Sequence, residues 1–494
     1  MIGLPRGWHV ASLSDICDRI VDGSHNPPKG VDIGRPMLSA RNIQDRRINF
    51  GEYRLISEAD FQVEHQRTAV RAGDVLMTIV GTIGRTAVVG DHVSPFALQR
   101  SVAVLRAPSF DSQYLSYALE SPLVQKILGD SAQGTAQKGV YLKTLGSIAV
   151  PLAPLPEQKR IADKLDTVLA RVDACRDRLD RIPALLKRFR QSILAAATSG
   201  RLTEDWRATN PGQDNQAELE VSAKEIKRTA GVKVRGASIQ VEAELLHPLP
   251  PSWAWIENHR LAAADSNAIC AGPFGTIFKA KDFRDSGVPI IFLRHVGAGE
   301  YRTHKPNFMD SAVWKEHHQP YSVFGGELLV TKLGDPPGDA CIYPAGIGTA
   351  MVTPDVMKMT VDQDVARTEY LMHYFNSPTS KKITESVCFG VTRLRIDLSL
   401  FKTFPIPTPP RAEQHEIVRR VETLFAFADR LEARLATARK QAGQLTPALL
   451  AKAFRGELVP QDPNDEPATE LLKRLATQRD AAPKPKRGRK AASA

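Results

Sequence analysis

The chain has 494 residues, with 66 Lys and Arg against 55 Asp and Glu, a formal net charge of +11 and a pI near 9.4. At about 100 to 200 residues per domain, that length implies two to four domains and excludes a single small module. A hydrophobic content of 42% beside 24% charged residues excludes wholesale disorder, and the basic excess is compatible with a polyanionic partner without establishing one.

From the N-terminus, residues 1 to 6 lack the apolar core of a signal peptide, and no run of about 18 apolar residues follows, so a cytoplasmic protein with no membrane partner is expected. A Leu4-Pro5-x-Gly7-Trp8 opening leads into short apolar runs separated by Gly and Pro. Val75 to Val80, Thr86 to Val89 and Val102 to Leu105 read as strands, and Asp111 to Leu128 as a helical stretch. From Ile161 the apolar positions fall at Ile161, Leu165, Val168, Val172, Cys175, Leu179, Ile182 and Leu186, alternating four and three residues apart. This is a heptad seam that suits a partner helix, with Pro183 expected to kink or interrupt it. Later come strands at Pro289 to Leu293 and Leu328 to Leu333, helix over Thr368 to Ser386, and a second seam at Ile417, Val421, Leu424, Ala428, Leu431, Leu435, Ala438, Ala442 and Leu445, interrupted near its end by Pro447.

The second half repeats the first. At an offset of 256, Tyr114-Leu115 aligns with Tyr370-Leu371, Ser121-Pro122 with Ser377-Pro378, Gly134 with Gly390, Glu157-Gln158 with Glu413-Gln414 and Leu194-Ala195 with Leu450-Ala451. Upstream the offset drifts to 253 at Gly73-Asp74 and to 245 at Trp8, which aligns with Trp253. A constant frame therefore carries two different globular modules of mixed α and β structure. The obvious partner for each seam helix is the other copy; paired antiparallel, about 26 residues at 1.5 Å each form a ruler of about 39 Å, against about 34 Å for one turn of B-DNA.

Catalytic and metal motifs are not found. Asn26-Pro27-Pro28-Lys29 and Asp335-Pro336-Pro337-Gly338 lack the aromatic that would stack on a flipped base and are not preceded by a Gly-rich cofactor loop, so they read as turns. There is no phosphate-binding GxxxxGK[ST] loop and no HExxH pair. His317-His318 are adjacent and point apart on any regular element. Cys17, Cys175, Cys270, Cys341 and Cys388 show neither CxxC nor Cys/His ligand spacing, so no metal site or disulfide framework is expected.

The Leu4-Pro5-x-Gly7-Trp8 opening, the Asp22-Gly23-Ser24-His25 and Gly272-Pro273-Phe274-Gly275 loops, the Gly73 to Leu76 strand, the Pro154/Gln158/Ile161 and Pro410/Gln414/Ile417 helix starts and the Gly200 to Arg207 segment carry a resemblance. Their duplicated order resembles the specificity subunit of type I restriction-modification systems, over residues 4 to about 460. That resemblance implies an α+β fold: two mixed α/β target recognition domains joined by two long helices in an antiparallel coiled coil, with a pseudo-twofold internal repeat. The expected divisions are recognition domain 1 at 1–153, helical region 1 at 154–207, a linker at 208–247, recognition domain 2 at 248–408, helical region 2 at 409–460 and a basic, disordered tail at 461–494. Lys484, Lys486, Arg487, Arg489 and Lys490 in that tail depart from the family pattern, and the remaining body carries +6.

The resemblance implies no catalytic residue and no cofactor in this chain, with S-adenosylmethionine, ATP and Mg on partner subunits. It implies partnership with double-stranded DNA, two methylation subunits and restriction-translocation subunits. Reading DNA calls for Arg or Lys to guanine, Asn or Gln to adenine and cations to phosphate. In the first module the candidates are Ser24, His25, Arg41, Asn42, Arg46, Arg47, Thr82, Arg85, Gln99, Arg100, Gln133, Gln137 and Lys138. In the second they are Lys279, Lys281, Arg284, Arg294, His295, Lys332, Arg393 and Arg395. Taken singly, each also reads as a solvated surface charge; the Gly-rich stretches Gly81 to Gly84 and Gly272 to Gly275 read equally as phosphate approaches or turns. The alternative function is a coiled-coil scaffold with protein-binding heads, which salt-dependent DNA binding distinguishes.

Overall fold

A computed structural model describes residues 4–132, 138–227, 232–234, 241–273, 278–390 and 393–481. The chain divides into two compact units, Met1–Asp180 with Ala436–Ala494, and Arg181–Leu435.

In the first unit a four-stranded antiparallel sheet orders its strands Arg19–Asp22, Val102–Arg106, Val75–Thr78 and Thr86–Val88. The second unit repeats that order with Ile269–Ala271, Val356–Met359, Leu328–Thr331 and Ala340–Ile342. Each unit adds a mixed sheet with one parallel pair, three-stranded in the first with Arg35–Leu38 beside Ala97–Leu98, and five-stranded in the second with Val288–Ile291 beside Ala350–Val352. A two-stranded ribbon closes each module on itself: His9–Ser12 pairs with Ala149–Leu152, and Ala254–Glu257 with Pro405–Thr408.

The strands expected from sequence form within one or two residues of their expected limits. The two helical stretches each break once: Ser112–Glu120 and Pro122–Ser131, then Thr368–Phe375 and Pro378–Val387. Ser121 and Ser377 cap the following helix through their side chains, and Pro122 and Pro378 occupy its first position, where no amide partner is lost.

The first long helix spans Leu155–Thr198 and the second Arg411–Ala453. Neither is interrupted at Pro183 or Pro447, so the expected breaks are corrected: each proline is accommodated inside a continuous helix. In the first unit the Arg176 guanidinium donates to Ala442 O at 2.9 Å and Arg439 pairs with Asp180 at 2.8 Å. In the second, Arg190 pairs with Asp429 and Glu432 at 2.6 and 2.7 Å, and Arg420 donates to Leu202 O at 2.8 Å. Within each unit the partner number falls along one helix as it rises along the other, so the segments run antiparallel.

The seam follows the heptad only in part. Ile161, Leu165, Val172, Ile417, Val421 and Leu435 are buried, while Val168, Leu179, Ile182, Leu424 and Leu431 are half-buried. Cys175 and Leu445 are exposed, which corrects their place in it; Arg176 takes over at the seam by covering the Ala442 carbonyl. The first turns pack on the modules. Ile161 and Leu165 share a core with Trp8, Tyr114, Leu450 and Ala453, and Ile417 and Val421 share one with Trp253, Tyr370, Leu194 and Ala197.

Two short helices lie in stretches read from sequence as linker and tail. Gln216–Ile226 buries Ala217 and Val221, and Arg260 grips its Glu218 and Glu225 at 2.6 and 2.9 Å. Ala468–Ala481 sets Leu471 and Leu475 into the first module's core, and Arg479 donates to Ser14 O and Asp15 O. Both carry apolar residues at helical spacing, enough to pay the ordering entropy that a disordered reading withholds. The five tail cations lie outside the described residues.

Candidate nucleic-acid interface

The constant frame is held by the repeated residues. Trp8 Nε1 donates to Glu157 Oε2 at 3.0 Å, and Trp253 Nε1 to Glu413 Oε2 at 2.8 Å. The Tyr114 and Tyr370 hydroxyls donate to the carbonyls of Pro151 and Pro407. Gln158 Nε2 reaches Ala153 O while its Oε1 accepts from Asp111 N, and Gln414 does the same with Pro409 O and Arg367 N. These contacts tie each long helix start to its module.

On that frame the candidate residues of the first module sort into two places. One is a cleft of about 530 Å³ lined by His25, Arg67, Arg100, Val80, Gly139 and Tyr141, among others. Its floor is backbone: Val80 bridges Gly139, and Val140 N donates to Ile79 O at 2.9 Å. Asp22, 8% exposed, orients the wall by accepting from Arg67 at 3.1 Å and pairing with His25 Nε2 at 2.8 Å. Gly23 is required beside it, because a Cβ there would meet Leu98 O at 2.1 Å; Gly272 stands in the same relation to Val352 O. Ser24 bridges Gln99, but its hydroxyl is buried on Glu64. Thr82 and Lys138 are exposed nearby, joined through the Gly81 N to Lys138 O hydrogen bond. Gln133 and Gln137 lie outside the described residues.

The other place is a hairpin, Ile43–Gln44 with Arg47–Ile48, turning on Asp45 and Arg46 at positive φ of 49° and 60°. Arg47 and Arg85 are exposed, whereas the Arg46 guanidinium is held between Asp173, at 2.5 Å, and Glu120, at 3.9 Å. Burial raises the Glu120 carboxyl above its ordinary range. Arg46 is thus occupied by the protein.

Asn42 and His295 are likewise occupied. Both are buried and cap the same turn, where Arg41 and Arg294 beside them are exposed. Arg294 lies over the Phe292 ring at 4.3 Å. In the second module Lys279, Lys281 and Arg284 are exposed at one edge of the five-stranded mixed sheet, Arg284 pairing with Asp310 at 3.1 Å. Lys332 and Arg395 come together elsewhere, with Arg393 exposed beside them. Leu333 pairs with Arg395 in a short ribbon, Ile396 N donates to Lys332 O at 3.1 Å, and Arg395 lies over Phe389 at 4.9 Å. Burial lowers the Lys332 ammonium below its ordinary value. Sequence reasoning missed Arg67 and Tyr141. Tyr141 carried a signal, a lone aromatic between Lys138 and Lys143 after a glycine; Arg67 carried none, since Asp22 lies 45 residues away.

Among the described residues, no group of three or more His, Cys, Asp or Glu side chains could hold a metal ion, and no helix is long and apolar enough to cross a membrane.

Comparison with known proteins points the same way. The chain is 27% identical to the Type I restriction enzyme EcoKI specificity subunit of Escherichia coli (strain K12), with 99% of this chain and 98% of that protein covered. It is 26% identical to the EcoDI specificity subunit of Escherichia coli, over 90% and 92%. The fold is similar to that of the HsdS subunit from Thermoanaerobacter tengcongensis, with a TM-score of 0.54, 17% identity and 92% and 98% coverage. It is also similar to a chain of a type I R-M system solved to describe complex assembly and conformational transition, with a TM-score of 0.58, 16% identity and 92% and 100% coverage. The model of the Type I restriction modification DNA specificity domain matches residues 5–184 and 319–438; with more than half of its length matched, the chain belongs to that family.

Proposed function

We propose that the chain is the DNA sequence-recognition subunit of a type I restriction-modification complex. Each module reads one half of a split double-stranded target, and the paired long helices set the unread spacer and dock two methylation subunits and the restriction-translocation subunits. Reaction chemistry belongs to those partners, which carry S-adenosylmethionine, ATP and Mg; this chain selects where they act.

The observation that carries the reading is one hydrogen-bonded frame, Trp8–Glu157 and Trp253–Glu413, supporting two modules whose exposed polar residues differ. Duplication of the frame with divergence of the fittings is what two readers of unlike half-sites require. Full-length alignment with the EcoKI specificity subunit supports it.

Purified with its methylation subunits, the protein is expected to protect one bipartite sequence. Replacing residues 1–153 by the corresponding module of a relative is expected to change one half of that sequence only. A swap that changes both halves or neither overturns the modular reading, and the absence of any DNA footprint returns the chain to a scaffold with protein-binding heads.

A further inference from the structure

The positions that form the strand-end cleft of the first module have counterparts in the second, and backbone pairing fixes the correspondence position by position. The Val80 to Gly139 bridge corresponds to the Leu333 to Arg395 pair, and Val140 N to Ile79 O corresponds to Ile396 N to Lys332 O. Ile79 N donates to Ser101 O and Lys332 N to Asp355 O, both at 2.9 Å, which sets Arg100 against Pro354. Asp22 pairs across the sheet with Ala103, and Ala271 with Met357, which sets Asp22 against Ala271. The helices Leu142–Gly146 and Leu398–Lys402 follow, preceded by Tyr141 and Asp397.

Through this correspondence the cleft separates into two kinds of position. Those that build it keep their character: Val80 and Leu333, Val140 and Ile396, Leu142 and Leu398, Gly23 and Gly272. Those that line its opening change charge, size or hydrogen-bonding class, Arg100 to Pro354, Tyr141 to Asp397 and Gly139 to Arg395, and beneath them the buried Ile79 gives way to the half-buried Lys332. Loss of the Asp22 carboxylate at Ala271 removes the acceptor that orients His25 and Arg67, so the corresponding place in the second module is furnished differently from its base upward. Uniform surface drift does not produce a constant floor under a changed lining. The cleft lies within the volume range of ligand sites and presents a Tyr face 69% exposed beside cations, the combination that contacts base edges and stacks on unpaired bases.

We infer that this cleft is where each module reads base identity, through Arg100 and Tyr141 with the oriented Arg67 and His25 in the first module, and through Arg395 and Lys332 in the second, where the Asp397 carboxylate is occupied in accepting from Leu400 N at 2.8 Å. The inference rests on the reading of the chain as a DNA-sequence reader and narrows it: the exposed Arg47 of the hairpin and Arg85 beside its turn contact phosphate and carry no sequence information.

The test is selection of bound duplexes from a randomised double-stranded library by the full chain with its methylation subunits, followed by sequencing. Tyr141→Ala, Arg100→Ala and the conservative Arg100→Lys are compared with Arg395→Ala and with the hairpin control Arg47→Ala. Tyr141 makes no side-chain cap bond and is exposed, so its removal leaves the fold in place, which a matching thermal melt verifies.

The expected result is loss of base preference at one or two positions of one half-site, roughly 5- to 150-fold per position. Arg395→Ala acts on the opposite half, and Arg47→Ala weakens all sequences equally. Unchanged preferences with a uniform fall in affinity, or losses in both halves from Tyr141→Ala, overturn the inference. If the unaltered protein itself selects no sequence, the proposed function fails instead.

Discussion

Asn42 and His295 hold the same turn with different chemistry: Asn42 Oδ1 accepts from Ser39 N at 2.9 Å, and His295 Nδ1 accepts from Phe292 N at 2.9 Å. Burial, helped by Arg294 and His304, pushes His295 down to about 4 from its ordinary 6.5. A depressed histidine stabilises the fold fully above pH 6.5 and loses that contribution as pH falls toward 4, because the unfolded chain takes up the proton first. The second unit is therefore expected to lose up to about 3 kcal/mol across this window from this group. His373, buried and also pushed down to about 4, adds a parallel loss. His295→Asn installs the first module's solution. Denaturant unfolding at pH 7 and pH 4.5 should show a smaller pH difference for the variant than for the parent; equal differences would discard the assignment.

Glu157 and Glu413 make the same tryptophan contact in unequal surroundings. Glu413 Oε1 accepts from the Thr203 hydroxyl at 2.6 Å and from Arg207 at 2.5 Å, whereas Glu157 Oε1 is buried with no partner. The repeat places Val459 and Pro463 where the partners of Glu413 stand. Glu413→Gln is expected to cost about 2 to 3 kcal/mol by breaking a buried charged contact, and Glu157→Gln less than about 0.5 kcal/mol. Burial raises the Glu157 carboxyl, so its contribution is present below its ordinary 4.5 and is lost as pH rises through the raised value. Glu157→Gln should flatten that slope, measured by thermal melting from pH 4 to pH 7.

These pairs show how much was legible from sequence. The repeat, the strands and the helix starts were readable because they depend on local periodicity and on identical residues at fixed offsets. By residue type alone, Asn42, His295 and Arg46 suit contacts to bases and phosphate. What uses them up, Ser39 N, Phe292 N and Asp173, lies in the turn geometry or 127 residues along the chain. The reading positions are half legible: the residue types of His25, Arg100, Lys332 and Arg395 mark them as candidates, but the grouping within each module is set by strand pairing that no linear pattern carries.

Arg46 ties the hairpin to the long helix, with 18% of its side chain exposed against 43% for Asp173. Arg46→Ala and Asp173→Ala are each expected to cost about 1 kcal/mol, the partial exposure limiting the figure, and the double variant little more than either alone. Neither should change the salt dependence of DNA binding. Arg47→Ala and Arg85→Ala should each lower its log–log slope by about 0.9 while leaving stability unchanged. Fluorescence anisotropy over a salt series separates the two classes, and a lowered slope for Arg46→Ala would restore it as a phosphate contact.

The acidic position beginning the central strand is neutralised from different places in the two modules. Asp74, 2% exposed, receives Arg106 in a two-pronged contact at 2.7 Å, and Glu327, 6% exposed, receives Lys358 at 3.1 Å. By strand register Arg106 corresponds to Thr360, which donates to Glu327, and Lys358 corresponds to Val104. Removing a cation strands a buried carboxylate, so Arg106→Ala and Lys358→Ala are each expected to cost about 3 kcal/mol or more. Arg106 also donates to Ala69 O at 2.6 Å, so its loss disturbs the end of the preceding helix as well and should be the costlier. Neutralising both members of the second pair, Glu327→Gln with Lys358→Met, leaves no charge to strand and should restore most of the loss. Urea unfolding of the full chain measures all three variants; a double variant as unstable as Lys358→Ala would show that packing, and not the stranded charge, sets the cost.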